Sequence, residues 1–317
     1  MGGPGMQAIG FYEFGGPDVL RVINIPEEHA GLGQVRIRNY AATVNPTDLL
    51  ARNGSRSEQM SLDPPPYVPG MEVSGIVDEV GQGVGTGIKV GDSVLGIVVT
   101  RGSHGGYREQ LVLDARSVVP VPAGCSYIEA CTLPMNGLTA RQVLDRLALS
   151  AGNILAVTGA AGAFGGYIVQ LAKAEGLKVI ADASARDQDL VASFGADMIL
   201  PRGDDFAELV RQEFPEGVDG LADGAVLSEK VIYAVRDNGA FSSVRGWQGT
   251  GERQIHFETT SVRDYALEFC KLKKLSQQVE EGILTLRVAK TYKSVEASEA
   301  HRLLEGGGLR GRIVREF

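Results

Sequence analysis

Val157-Thr158-Gly159-Ala160-Ala161-Gly162-Ala163-Phe164-Gly165 decides how the rest of this chain reads. Ile154 to Val157 is an aliphatic run with the length of a buried strand, and Ala163 to Glu175 carries helical spacing. Between them, small residues let the backbone turn sharply and approach a pyrophosphate, whose charge then meets the N–H groups at the helix N-terminus. Gly165 lets the helix pack against the strand. A glycine-spaced turn alone is an ordinary strand-to-helix connection. Four further β-α units behind this one make dinucleotide binding the reading, with Gly159, Ala161, Gly162, Ala163, Phe164 and Gly165 as cofactor candidates.

Those units follow downstream as strands at Leu177 to Ala181, Met198 to Leu200, Gly220 to Ala222 and Ala240 to Val244. Helices are expected between them at Arg186 to Phe194, Phe206 to Phe214 and 229–237. Alternation on this scale means a parallel, doubly wound sheet, because parallel strands need crossover helices. Upstream, the first 120 residues read as β-rich: Val35, Ile37 and Asn39 alternate with polar neighbours, and Met71 to Val77 and Ser93 to Val99 follow as short strands. Gly, Pro and Asp clusters between them suit a sandwich or barrel-like domain. One short helix interrupts, capped by Asn45, led by Pro46 and ended by Asn53-Gly54. Ser126-Tyr127-Ile128-Glu129 is a capping box that opens helical sequence, which Gly137 to Leu149 continues. The tail from 262 holds more helix, the tract Gly306-Gly307-Gly308 and a last strand, Arg312 to Phe317.

The end of the second strand, Val179-Ile180-Ala181-Asp182-Ala183-Ser184-Ala185-Arg186, sets the cofactor. NAD readers place an acid there, about 20 residues beyond the glycines, to hold the ribose hydroxyls. Side chains alternate along a strand, so Asp182 and Ala183 face opposite ways. With Ala183 at the ribose-facing position, Ser184 and Arg186 meet a 2′-phosphate, Arg202 adds charge, and NADPH is favoured. A register one residue off would turn Asp182 to the ribose instead. Val244, ending the fifth strand, joins the cofactor candidates.

Composition sets outer bounds. At 317 residues the chain has room for two domains, and its 44% hydrophobic and 22% charged residues are those of a globular protein. Glycine is the outlier, at 42 residues, nearly double the usual ~7%. With 31 basic and 39 acidic residues the net charge is −8, which lacks the footprint of a nucleic-acid binder. Cys125, Cys131 and Cys270 form no C-x-x-C pair, which excludes a disulfide framework and a four-cysteine zinc lobe. The start has no signal-peptide pattern and no run approaches ~18 apolar residues, so a cytoplasmic protein with no membrane partner is expected. Met1 to Gly5 reads as a leader or an alternative start before Met6.

Several segments in order resemble one family. Asn45-Pro46-Thr47-Asp48 with Arg52-Asn53-Gly54 resembles N-P-x-D…R-x-G, and Pro69-Gly70-Met71-Glu72 with Gly75-Ile76-Val77 resembles G-x-E…G-x-V. Val90-Gly91-Asp92-Ser93-Val94, Gly105-Gly106-Tyr107-Arg108-Glu109, Leu133 to Ala140 and Gln170-Leu171-Ala172-Lys173 continue the series to Gly311-Arg312-Ile313-Val314. Together they resemble the medium-chain dehydrogenase/reductases, in their zinc-independent quinone oxidoreductase branch, which includes ζ-crystallin. The resemblance implies an α/β fold in which a Rossmann domain, a doubly wound parallel sheet, is inserted in a β-rich GroES-like catalytic domain. Here the catalytic domain would take 1–122 plus 262–317, and the NADP-binding domain 123–261. It also implies a homodimer, pairing Rossmann sheets edge to edge near 240–258.

Zinc relatives hold their metal with Cys, His and a further Cys or acid. Asn45 lies near the first ligand's place and Met71 stands where those enzymes carry histidine, so no metal is expected. Without a Lewis acid the feasible reaction is hydride transfer from NADPH to a quinone or to the β-carbon of an enone. By resemblance Asn45 contacts nicotinamide or substrate, Thr139 lies near the nicotinamide end and Arg312 reaches the pyrophosphate. Tyr67 is the one tyrosine near the expected site as a proton donor. A short-chain dehydrogenase is excluded, since no tyrosine has a lysine four residues later. A non-enzymatic NADPH-binding sensor or structural protein on the same fold is the competing reading.

Overall fold

The computed structural model describes residues 5–317, so residues 1–4 of the expected leader lie outside the described residues. In chain order the elements begin with β1 (Gly5–Gly10), β2 (Arg21–Pro26), β3 (Gln34–Val44), α1 (Pro46–Arg52), α2 (Ser57–Met60), β4 (Glu72–Val80), β5 (Ser93–Ile97), β6 (Gln110–Asp114), β7 (Val118–Pro120) and α3 (Tyr127–Ala130). Next come α4 (Pro134–Leu147), β8 (Ile154–Thr158), α5 (Ala163–Ala174), β9 (Lys178–Ala183), α6 (Gln188–Ser193), β10 (Met198–Pro201), α7 (Phe206–Glu213), β11 (Val218–Asp223), β12 (Val235–Ser243) and β13 (His256–Thr259). The chain closes with α8 (Phe269–Glu280), β14 (Val288–Lys293), α9 (Ala297–Gly306) and β15 (Arg312–Glu316).

The chain divides into two units. One takes the residues up to Met135 together with Ala266–Glu280 and Leu286–Phe317. Its main sheet runs β14-β15-β3-β4-β5-β7, with β6 also paired to β3. The antiparallel pair β15–β3 sets Ile313 opposite Val44, so the last strand is built into the same sheet as the first half of the chain. Val35, Ile37, Val73, Val94, Leu111 and Ile313 fill its core. Four arginines, Arg52, Arg108, Arg312 and Arg315, are also buried here, and a buried cation requires specific partners. Residues 123–135, expected with the dinucleotide domain, sit in this unit: Ser74 Oγ donates to the Tyr127 carbonyl at 2.6 Å, fixing α3 on β4.

The second unit, Asn136–Tyr265 with Glu281–Thr285, is a six-stranded sheet ordered β10-β9-β8-β11-β12-β13. Every neighbouring pair is parallel. The order runs outward both ways from β8, so the strand order reverses there, which in doubly wound sheets marks the ligand crevice. Ala156, Ile180, Leu221 and Phe241 form its buried centre with Phe206 and Val210 of α7.

One expected helix is not formed. Residues 229–237 make two short 3-10 turns, Ser228–Lys230 and Ile232–Ala234, and then enter β12. Ser228 takes φ +53°, which stops a right-handed helix, and β-branched Val231, Ile232 and Val235 are buried against the sheet. Strand β13 had no clear sequence signal. Among the described residues no helix is long and apolar enough to cross a membrane.

Candidate cofactor and substrate sites

The loop after β8 is shaped by two glycines. Gly159 has φ +68°, and a Cβ there would lie 3.0 Å from the Gly224 carbonyl carbon, so the turn needs glycine on both counts. At Gly165 a Cβ would lie 2.3 Å from the Gly159 carbonyl oxygen and 2.8 Å from Ala160 Cα, so α5 sits directly on the loop. The first bond into the helix is Gly166 N–H to the Gly162 carbonyl, at 2.9 Å. The N–H groups of Ala163, Phe164 and Gly165 thus precede the ladder, at the positive end of a 12-residue helix. That is a cradle for an anion. Asp223 braces it: buried at the end of β11, it accepts from Thr158 Oγ1 at 2.7 Å and from the Leu227 and Ser228 N–H groups. Val244 lies beside it, its N–H 3.4 Å from the Asp223 carbonyl.

At the end of β9 the carboxylate of Asp182 turns to the loop, where Oδ1 accepts the Ala160 N–H at 2.9 Å. Burial raises its pKa, only partly offset by backbone hydrogen bonds from Ala160 and Gly159. Ala183, its neighbour, is buried, and its carbonyl accepts the Arg202 N–H at 3.0 Å. This pairing brings Arg202, Ser184 and Arg186 to the carboxyl ends of β10 and β9. Arg186 is 69% exposed, while Ser184 Oγ donates to Asp187 at 2.5 Å. Asp187 carried no motif and was missed by sequence reasoning.

In the β-rich unit Asn45 and Arg312 meet. Arg312 Nη2 lies 2.6 Å from Glu72 Oε1, 2.5 Å from Asn45 Oδ1 and 3.1 Å from Thr43 Oγ1. Asn45 Nδ2 reaches Thr43 Oγ1 at 3.1 Å and Glu72 Oε1 at 3.3 Å, and Glu72 Oε2 accepts the Met135 N–H at 2.7 Å. Asn45 and Glu72 have no exposed surface, and Arg312 is also buried. Both ends of the Asn45 amide are hydrogen-bonded within this unit, which holds Asn45 in place where β3 meets α1. Arg312 likewise spends Nη2 within the unit. Glu72 and Thr43 complete this ion-paired knot. Glu72 was visible in a quoted motif, but not its partner.

Below it, Asp48 Oδ2 accepts the Asn45 N–H at 2.8 Å and Oδ1 the Gly70 N–H at 2.9 Å, pinning α1 to the loop before β4. Burial pushes its carboxyl up to about 6, against the pull of those two N–H groups and Arg312. Tyr67 sits elsewhere: its ring stacks on Phe14 at 5.5 Å and packs on Phe11, and its hydroxyl donates to the Asp63 carbonyl at 3.1 Å. In this geometry the Tyr67 hydroxyl proton points to that carbonyl. Thr139 is half-buried on α4.

Metal donors do not gather. Met71 Sδ takes the Thr47 hydroxyl at 3.0 Å, and among the described residues no three His, Cys, Asp or Glu side chains cluster to hold an ion. The three cysteines are free; Cys131 is buried, which raises its thiol well above the usual range.

Comparison with known proteins matches residues 31–123 to the alcohol dehydrogenase GroES-like domain and 194–314 to the zinc-binding dehydrogenase model. A quinone oxidoreductase of Lama guanicoe is 33% identical, covering 98% of this chain and 97% of its own. The NADPH-dependent alkenal/one oxidoreductase of Arabidopsis thaliana chloroplasts is 30% identical over 87% of this chain and 70% of its own. The crystal structure of an NAD-dependent alcohol dehydrogenase superposes with TM-score 0.85 at 30% identity, over 98% of this chain and all of that one. The chain belongs to the medium-chain dehydrogenase/reductases, in their quinone oxidoreductase branch.

Proposed function

We propose that this protein is an NADPH-dependent reductase that transfers hydride to a quinone or an α,β-unsaturated carbonyl without zinc. The observation that carries the reading is the cradle at the start of α5, with three backbone N–H groups ahead of the helical ladder and no room for side chains at Gly159 and Gly165. These residues fit a dinucleotide pyrophosphate. The dinucleotide supplies the hydride, and an acceptor already polarised by conjugation needs no Lewis acid. Arg186 and Arg202, at the carboxyl ends of β9 and β10, support the choice of a cofactor with a 2′-phosphate. Asn45, locked by Arg312, Glu72 and Thr43, keeps the β3–α1 corner rigid beside the loop that Asp48 fastens through Gly70. With Tyr67 bound to Asp63, solvent supplies the proton.

The names of the quinone and alkenal/one oxidoreductase relatives support the acceptor class. Loss of NADPH absorbance with 9,10-phenanthrenequinone and with a small enone is the test, run with and without a strong chelator. Turnover unchanged by the chelator is expected. NADPH binding without turnover across a broad panel would favour the sensor reading, and turnover abolished by the chelator would overturn the zinc-free one. A homodimer formed through β13, the outer strand of the parallel sheet, is part of the proposal, and sedimentation checks it.

A further inference from the structure

Ser184 presents a chemical polarity opposite to that of its arginine neighbours. A hydroxyl has one proton, and Ser184 gives its own to Asp187 Oδ2 at 2.5 Å, because an ionised carboxylate can only accept. Toward a ligand Ser184 therefore offers only lone pairs. A 2′-phosphate on adenosine ribose is itself an acceptor carrying about −1.5 to −2 charge at pH 7, so it gains no bond from this hydroxyl. A free ribose 2′-hydroxyl is a donor and matches it. The carboxylate adds to the bias: the Asp187 side chain is only 5% exposed, and the Oδ2 that accepts from Ser184 also lies 4.0 Å from Arg186 Nε.

We infer that the Ser184–Asp187 couple is a specificity determinant that admits NADH, so that the chain uses both cofactors with a narrow preference. The inference rests on the dinucleotide reading above and sets its selectivity: Arg186 and Arg202 draw the phosphate, while Asp187 opposes it and takes Ser184 out of service as a donor. Asp187 enters no step of the hydride transfer.

Titration of the full-length protein with NADPH and NADH, followed by nucleotide fluorescence, tests this by affinity alone. Asp187→Asn is expected to tighten NADPH about tenfold, equivalent to about 1.4 kcal/mol, and to leave NADH within a factor of two. Ser184→Ala, which removes the acceptor and keeps the carboxylate, is expected to weaken NADH severalfold and leave NADPH unchanged. Thermal unfolding checks that both variants fold. An unchanged NADPH-to-NADH ratio in a folded Asp187→Asn, or equal shifts for both nucleotides, would overturn the inference alone. A folded wild type binding neither nucleotide would overturn the dinucleotide reading and this inference together.

Discussion

Gly165→Ala puts two opposed effects into one methyl group. Gly165 is the third residue of α5, and an alanine inside a helix is ordinarily favoured over glycine by about 1 kcal/mol. Here the added Cβ would meet the Gly159 carbonyl oxygen at 2.3 Å, the Gly159 carbonyl carbon at 2.7 Å and Ala160 Cα at 2.8 Å. All three are backbone atoms of a turn braced by Asp182 and Asp223, so none can swing aside as a side chain would. Overpacking typically costs about 1–3 kcal/mol and more where the neighbour is rigid. Taking about 3 kcal/mol against about 1 gained, the net loss is on the order of 2 kcal/mol, a fall in Tm of about 4–8 °C. The control is Gly162→Val. At Gly162 a Cβ meets only the Gly159 carbonyl oxygen at 3.1 Å, and φ is −71°, which any residue adopts. That variant should keep most of its Tm and lose NADPH, because its side chain stands where the pyrophosphate would lie. Thermal unfolding with and without NADPH, together with a fluorescence titration, reads both effects. A Gly165→Ala protein melting at or above the wild type would refute the close approach of α5 to the loop.

Tyr67→Phe should retain reductase activity within about twofold and lose about 1 kcal/mol of stability, since its hydroxyl serves the Asp63 carbonyl; a collapse of kcat at constant KM would restore it as the acid. Because burial raises the Asp48 carboxyl to about 6, above its unfolded value, it stabilises the fold most fully below that unfolded value and less as pH rises through 6. The wild type's advantage over Asp48→Asn should therefore shrink between pH 5 and pH 7 in urea unfolding (about those limits), and an advantage that grows would contradict the burial argument. Glu72→Gln leaves Arg312 buried without its carboxylate and should cost about 3–5 kcal/mol, much of it recovered by adding Arg312→Met.

The period of the second half was legible because buried parallel strands and their crossover helices leave strong, regular hydrophobic runs, as at Ile154–Thr158 and Ala163–Ala174. The capping box at Ser126 also formed as its spacing indicated. What failed was decided by tertiary contact. The stretch 229–237 has helical length, yet buried β-branched residues and the left-handed Ser228 turn, bonded to Asp223, carry it into β12 instead. The glycine loop was readable from residue size. The pairing of side chains was not: Ser184 with Asp187 spans three positions, but Arg312 with Glu72 and Asn45 joins residues 240 and 267 apart, which no local pattern encodes. Asn45 and Tyr67 were visible as polar and aromatic, and only the fold shows that their hydrogen bonds are already made.

Hydride transfer from NADPH to a conjugated acceptor is tested most directly with NADPH deuterated at nicotinamide C4 and a small enone. The expected result is a saturated ketone carrying one deuterium on its β-carbon and a solvent proton on its α-carbon, with the same yield in chelator. Deuterium on the carbonyl carbon of an allylic alcohol, or cofactor binding with no deuterated product, would contradict it.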